Sequence, residues 1–208
     1  MRANWAVLIS GRGSNLSSLL DHLDEIPIKL VVSSSASAGG LKKAIRAGVA
    51  TALTPTLQVQ TRSGEMKSRI DWPGLTQALR ARGVTHVCLA GFMKIVPAAF
   101  VAEWENRLIN LHPSLLPAYP GLESIERAHK DGADIGVTVH FVNEEVDAGK
   151  LISQRRCLKK GEVSRYSLGL TEFLVHVTEQ RLLGDAVRSL QNVATLERLR
   201  VPSHGGTA

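Results

Sequence analysis

The sequence predicts an α/β domain with a mainly parallel central sheet flanked by helices. Three observations carry that prediction. Short apolar runs alternate with helical patterns from the N-terminus onward. The first run ends in a glycine loop that opens directly into a helix. A later run ends in Asn110-Leu111-His112, which sets two polar side chains on one face of an extended strand.

Each element has its own justification. Residues 3–10 are a short, largely apolar run closed by glycine, the pattern of a buried central strand. A helix follows over 16–23, a strand over 28–33, a helix over 41–47 stopped by Gly48, and a short strand over 49–53. Residues 54–69 are polar and read as an irregular surface loop. A helix over 72–82 ends at Gly83, and residues 84–90 form another buried strand around Cys88. A short helix over 97–104 precedes the Asn110 strand. Residues 124–130 are helical, 135–142 alternate as a strand, and 151–156 form a further strand. A long helix from 164 to about 190 closes a single domain over 1–190, and 191–208 read as a loose C-terminal tail. In such sheets ligands bind beyond the carboxyl ends of the strands, so the loops at 11–15, 91–96 and 110–121 are expected to share one cleft.

Composition narrows the function. The chain has 208 residues, 44% of them hydrophobic, enough for a full core. Its apolar runs fall well short of the roughly 20 residues that span a bilayer, and its N-terminus lacks a long apolar signal core. A cytoplasmic protein without a membrane partner is expected. The net charge of +6 is spread in small groups and aromatics make up only 4%, so a nucleic-acid partner is not expected. A phosphorylated small substrate suits the same positive field. Cys88 and Cys157 lie in no CxxC pair and the histidines have no metal-like spacing, so neither a disulfide framework nor a metal is expected.

Gly11-Arg12-Gly13-Ser14-Asn15 sits between a strand and a helix. Glycines let backbone approach an anion, the helix N-terminus offers unpaired N–H groups, and Ser14 and Asn15 add donors that can cap the helix. A tight turn with an N-cap accounts for the pattern as well as a monophosphate cradle does. A dinucleotide fingerprint is disfavoured. Leu16 stands where GxGxxG needs glycine, and the second strand ends in serines rather than an acid.

The segment 110–121 puts an amide and an imidazole on one strand face, then exits through Pro113, Pro117 and Pro120, which keep the path rigid and non-helical. A neutral donor beside a titratable group is what polar catalysis needs. Across 137–142, Thr138 and His140 share one face, and His140 alone reads as a hydrogen-bonded structural residue. The loop that follows carries Glu144, Glu145 and Asp147. One of them can pair with His112, although such loops are most often simply solvated.

Taken together these pieces resemble the folate-dependent formyltransferases. The matching landmarks are residues 7–16, residues 89–96, residues 110–121, residues 136–142 and Val146-Asp147-Ala148-Gly149, in that order. The resemblance covers roughly residues 5–190 and implies a Rossmann-like formyltransferase fold. It implies that Asn110, His112 and Asp147 are the catalytic trio. It assigns Gly13, Ser14 and Asn15 to a ribonucleotide phosphate loop, with Glu179 at the ribose and His176 within reach of the phosphate. It places Lys67, Met93, Lys94, Ile95, Val96 and Asn110 against folate, with 93–96 forming an apolar slot for a pterin.

The implied donor is 10-formyltetrahydrofolate, a co-substrate, with no metal, and the partners are small molecules bound by a monomer or homodimer. The GRGSN loop and the proline after His112 favour the branch that formylates glycinamide ribonucleotide in purine biosynthesis. An amino-sugar acceptor and hydrolysis of formyl-folate are the alternatives within the chemistry, and a non-catalytic phosphate-binding module is the alternative outside it. Neither the extra C-terminal domain of the methionyl-tRNA-directed relatives nor the extra N-terminal domain of the deformylase relatives is expected. Ser34, Ser35, Glu123, Ile125 and Lys150 depart from the usual family pattern.

Overall fold

The computed structural model describes residues 2–61 and 63–199, with side chains in the last helix described as far as Gln191. Seven strands form one sheet: β1 (Trp5–Ile9), β2 (Ile28–Ser33), β3 (Thr51–Leu53), β6 (His86–Leu89), β7 (Leu108–His112), β8 (Ile135–Phe141) and β9 (Leu151–Leu158). Their order is β3-β2-β1-β6-β7-β8-β9. The pairs from β3 through β7 are parallel, and β7–β8 and β8–β9 are antiparallel. The strand order reverses between β1 and β6, and the carboxyl ends around that point are where such sheets bind ligands.

Every residue of β1 is buried, because apolar side chains on both pleats meet helices on both faces. One face packs Val7, Ile9 and Val31 against Leu16 and Leu19 of α1 (Ser14–Leu20) and against Val175, Leu183 and Val187 of α6 (Leu168–Leu199). The helices α2 (Gly39–Arg46) and α5 (Ser124–Lys130) add Ala44, Ile125 and Ala128 to that core. The other face packs Ala6, Leu8 and Val32 against Leu75 and Leu79 of α3 (Trp72–Ala81) and Phe100 and Val101 of α4 (Ala98–Glu103). Here Trp72, Phe92, Phe100 and Trp104 pack as neighbouring rings in edge-on and tilted pairs.

Three expectations are corrected. The stretch 54–69 is not irregular. It contains a two-stranded antiparallel hairpin, β4 (Thr56–Gln60) and β5 (Met66–Ile70), closed at Gly64, whose φ of 85° a glycine adopts without strain. Almost every hairpin residue is exposed and no face is buried, so the short alternation of Leu57 and Val59 in β4 marks no core-facing strand. The closing helix does not begin at 164, because residues Val163–Arg165 form a separate 3-10 turn. Nor does helical structure stop near 190: it continues to Leu199. Buried Gln191 ties the helix to Ala3 by a reciprocal pair of hydrogen bonds of 2.9 and 2.8 Å. The rest of the expected tail, 200–208, lies outside the described residues.

Candidate functional site

Antiparallel pairing of β7 with β8 builds the centre of the site. Asn110 and His112 point the same way, and the register sets Asn110 opposite His140 and His112 opposite Thr138. The loop after β8 returns Asp147 over this face, so each carboxylate oxygen serves a pair of groups. Oδ1 accepts from Asn110 Nδ2 at 3.3 Å and lies 3.6 Å from His140 Nε2. Oδ2 accepts from the Gly121 N–H at 2.8 Å and lies 3.2 Å from His112 Nδ1. His112 and Asp147 are 7% and 9% exposed, so their attraction is little screened by water. Burial alone would push the Asp147 carboxyl up. The His140 ring, the Gly121 N–H and the charge of His112 outweigh it and hold the carboxyl below its ordinary value.

The second nitrogen of His112 is also occupied. Nε2 donates to the Tyr119 carbonyl at 2.9 Å. A carbonyl can only accept, so Nε2 carries a hydrogen, and Nδ1 is left facing the Asp147 carboxylate.

Backbone shape explains why Asp147 reaches this position. Asp147 has a φ of 54°, in the left-handed region that aspartate tolerates better than most residues. Two residues on, a Cβ at Gly149 would overlap the Phe141 carbonyl oxygen, so only glycine lets the turn lie this close to β8. The proline-rich exit after His112 contains no helix up to α5 and is pinned from below. Thr138 Oγ1 donates to Ser114 O at 2.7 Å, and Gln154 Nε2 donates to Leu116 O at 3.0 Å.

The glycine loop stands at the end of β1. Gly13 has a φ of 70°, and a Cβ there would come within 2.7 Å of the Gly40 Cα. The loop and the start of α2 therefore touch through bare backbone. Lys43 clamps the loop from outside, donating to Gly13 O at 3.1 Å and Ser17 Oγ at 2.9 Å. Gly13 itself is the N-cap of α1 and no side chain caps the helix. The expected capping by Ser14 or Asn15 is therefore not what happens; both are helical residues. Asn15 instead donates to Glu179 Oε2 at 3.4 Å, and His176 Nδ1 donates to the same oxygen at 2.8 Å. Glu179 is buried while His176 is half exposed. The hydrogen bond to Glu179 raises the His176 pKa above its ordinary value, against the smaller opposing effect of burial.

The 93–96 segment leaves the end of β6. Met93 and Ile95 are 71% and 87% exposed and Lys94 is exposed, so the segment stands out as an apolar ridge where an apolar slot was expected. Val96 packs back on the core. The ridge is tied to the neighbouring strand ends, because Ser10 Oγ accepts from the Met93 N–H at 2.9 Å and bonds Ser34 Oγ at 2.7 Å. The non-family serine at 34 thus has a local task. Lys67 is the outlier. It lies on the β4–β5 hairpin with its ammonium 3.4 Å from Glu65, and no hydrogen bond or ion pair joins it to the other site residues among those described. An open groove of about 630 Å³ between α3 and α4 is lined by none of the expected site residues.

Of the expected set, Asn110, His112 and Asp147 meet around one carboxylate, and Asn15, His176 and Glu179 meet around another. Sequence reading missed Tyr119 and Gly121, which act through backbone atoms, and Lys43, which read as surface charge. It placed His140 as structural. The shared polar face of Thr138 and His140 was the signal for His140, but only the β7–β8 register brings it to Asp147.

A mainly parallel sheet whose strand next to the switch-point pair, β7, carries an Asn-x-His pair closed by an Asp-x-Gly turn defines a class of group-transfer proteins. Residues 3–168 match the model of the formyl transferase family, and the chain belongs to that family. It is 40% identical over 161 residues to the phosphoribosylglycinamide formyltransferase of Escherichia coli K12, covering 74% of this chain and 72% of that protein. It is 42% identical over 163 residues to the trifunctional purine biosynthetic protein adenosine-3 of Drosophila melanogaster, covering 74% of this chain. That match spans only 11% of the fly protein's length. The crystal structure of phosphoribosylglycinamide formyltransferase from Anaplasma phagocytophilum superposes with a TM-score of 0.79 at 33% identity, over 93% of this chain and 89% of that one.

Proposed function

We propose that the protein transfers the formyl group of 10-formyltetrahydrofolate to the amine of glycinamide ribonucleotide, a step of purine biosynthesis. The observation that carries this reading is the single buried carboxylate of Asp147 shared by Asn110 and His112. The glycine loop stands at a nearby strand end, and the relatives bearing the formyltransferase name support the acceptor. The substrates are small molecules taken up in the cytoplasm by a monomer or homodimer, and the chemistry assigned here uses no metal.

In this mechanism the acceptor amine attacks the formyl carbon. A C–N bond forms and the carbonyl electrons move onto oxygen. The His112 imidazolium, its Nε2–H released from the Tyr119 carbonyl, and one Asn110 N–H, turned from its resting partner, stabilise that oxyanion. The tetrahedral centre then collapses, the bond to the folate nitrogen breaks, and His112 gives that nitrogen a proton. Asp147 keeps His112 cationic and takes up the proton lost by the amine. The side chains of Ser14, Asn15, His176 and Glu179 orient the phosphoribosyl half, and the Met93–Ile95 ridge stacks on the pterin, so both substrates are held for attack. Lys67 is assigned to the folate tail. Purified protein mixed with both substrates should release tetrahydrofolate, followed by absorbance. No release at saturating acceptor would remove this reading.

A further inference from the structure

His140 is 1% exposed, lies on β8 directly opposite Asn110, and touches two of the three groups assigned to the chemistry. Its Nδ1 is 2.8 Å from the Phe141 carbonyl oxygen. That oxygen only accepts, so Nδ1 carries a hydrogen and the ring is fixed. Nε2 then faces Asn110 Nδ2 at 3.4 Å and Asp147 Oδ1 at 3.6 Å. A neutral ring accepts from the amide, and a cationic ring donates to the carboxylate. In either form the ring dictates which way those two groups turn. The turn that carries Asp147 also passes close to this ring, since a Cβ at Gly149 would lie 3.3 Å from His140 Nδ1 as well as overlapping the Phe141 carbonyl.

We propose that His140 is a positioning residue that aims the Asp147 carboxylate and the Asn110 amide at His112. The proposal rests on the formyl-transfer reading for its consequence and on geometry alone for the contact. The groups facing Asp147 are His112 from β7, His140 from β8 and the Gly121 N–H from the exit loop. Among those that lower its pKa, the His140 ring ranks first after the opposing effect of burial.

The test uses two variants and a carboxyl titration by carbon NMR on the free, full-length protein. His140→Asn keeps an N–H for the Phe141 carbonyl but loses the reach of Nε2, whereas His140→Gln returns an amide to that reach. In His140→Asn the Asp147 midpoint should rise, and the acid limb of turnover should move up with it. Its kcat should fall by about 10- to 100-fold, with acceptor KM within about twofold. His140→Gln should recover most of the lost kcat. A folded His140→Asn protein with an unmoved Asp147 midpoint overturns the proposal, whatever its turnover. Should that variant not fold, the wild-type protein decides. The His140 ring signal must show an inflection at the Asp147 midpoint, and its absence is equally fatal. Wild-type protein that turns over no formyl-folate defeats the formyl-transfer reading by itself, while the titration still judges the contact.

Discussion

Two clusters each gather an asparagine and a histidine around one carboxylate, and they differ in closure. In the first, Asn110, His112 and Asp147 share a carboxylate, and both nitrogens of the histidine are engaged. In the second, Asn15, His176 and Glu179 share a carboxylate, but the histidine is 48% exposed and only its Nδ1 is bonded among the described residues. The carboxylates are buried alike, 9% and 7% exposed. What differs is where the imidazole faces. An imidazole held on both sides is preorganised for a reaction, and one with an outward edge is available to hold an anion. On the proposed function, closely similar groups thus serve chemistry in one place and binding in the other.

The sharpest way to break the comparison is to neutralise each carboxylate. Asp147→Asn should cut kcat by roughly 10²- to 10⁴-fold, the span of a lost acid–base contribution, with circular dichroism unchanged. Glu179→Gln should leave kcat within a few fold and raise acceptor KM by about tenfold, since an anion contact of that kind is worth about one to two kcal/mol. If the two variants behave alike in kcat, the division between chemistry and binding is wrong.

The comparison also explains what could be read from sequence. The spans of β2 and α5 were legible residue for residue, because buried apolar spacing and flanking breakers mark them. The shared face of Asn110 and His112 followed from strand geometry alone. Which of Glu144, Glu145 and Asp147 would reach His112 did not, because that choice rests on a left-handed φ at Asp147 and on the close approach at Gly149. The Tyr119 carbonyl and Gly121 N–H leave no trace in residue identity, since any residue has those atoms. The hairpin was illegible for a third reason: the alternation of Leu57 and Val59 is confined to one short strand, and a pair with both faces wet needs no longer pattern.

Acidity sharpens the comparison next, because the two clusters titrate in opposite senses. The Asp147 pKa is lowered by folding, so its contribution to stability is present above the ordinary carboxyl value of 3.8 and is lost as pH falls through the lower folded value. The His176 pKa is raised, so its contribution is complete below the ordinary value of 6.5 and is lost as pH rises through the higher folded value. Acceptor KM should therefore stay low past pH 6.5 and climb above the His176 midpoint by about threefold to tenfold. In His176→Gln the climb should vanish. A climb that survives in His176→Gln belongs to some other group.

The smallest expected effect concerns a residue outside both clusters. Lys67 and Glu65 are 62% and 66% exposed, so their ion pair is screened, and Lys67→Ala should change stability by no more than about 0.5 kcal/mol. The folate-tail assignment makes a separate demand. The carboxylates of that tail should feel the Lys67 charge, so KM for formyl-folate should rise by about twofold to fourfold at low salt, and the difference should shrink as salt is added. Acceptor KM should not move, because the hairpin is a separate sheet and no hydrogen bond or ion pair joins Lys67 to the phosphate-loop residues among those described. An unchanged formyl-folate KM at low salt would take Lys67 out of the folate set. The Met93–Ile95 ridge and Asn110 would then be what remains of it, and recognition of the donor would rest on its ring rather than its tail.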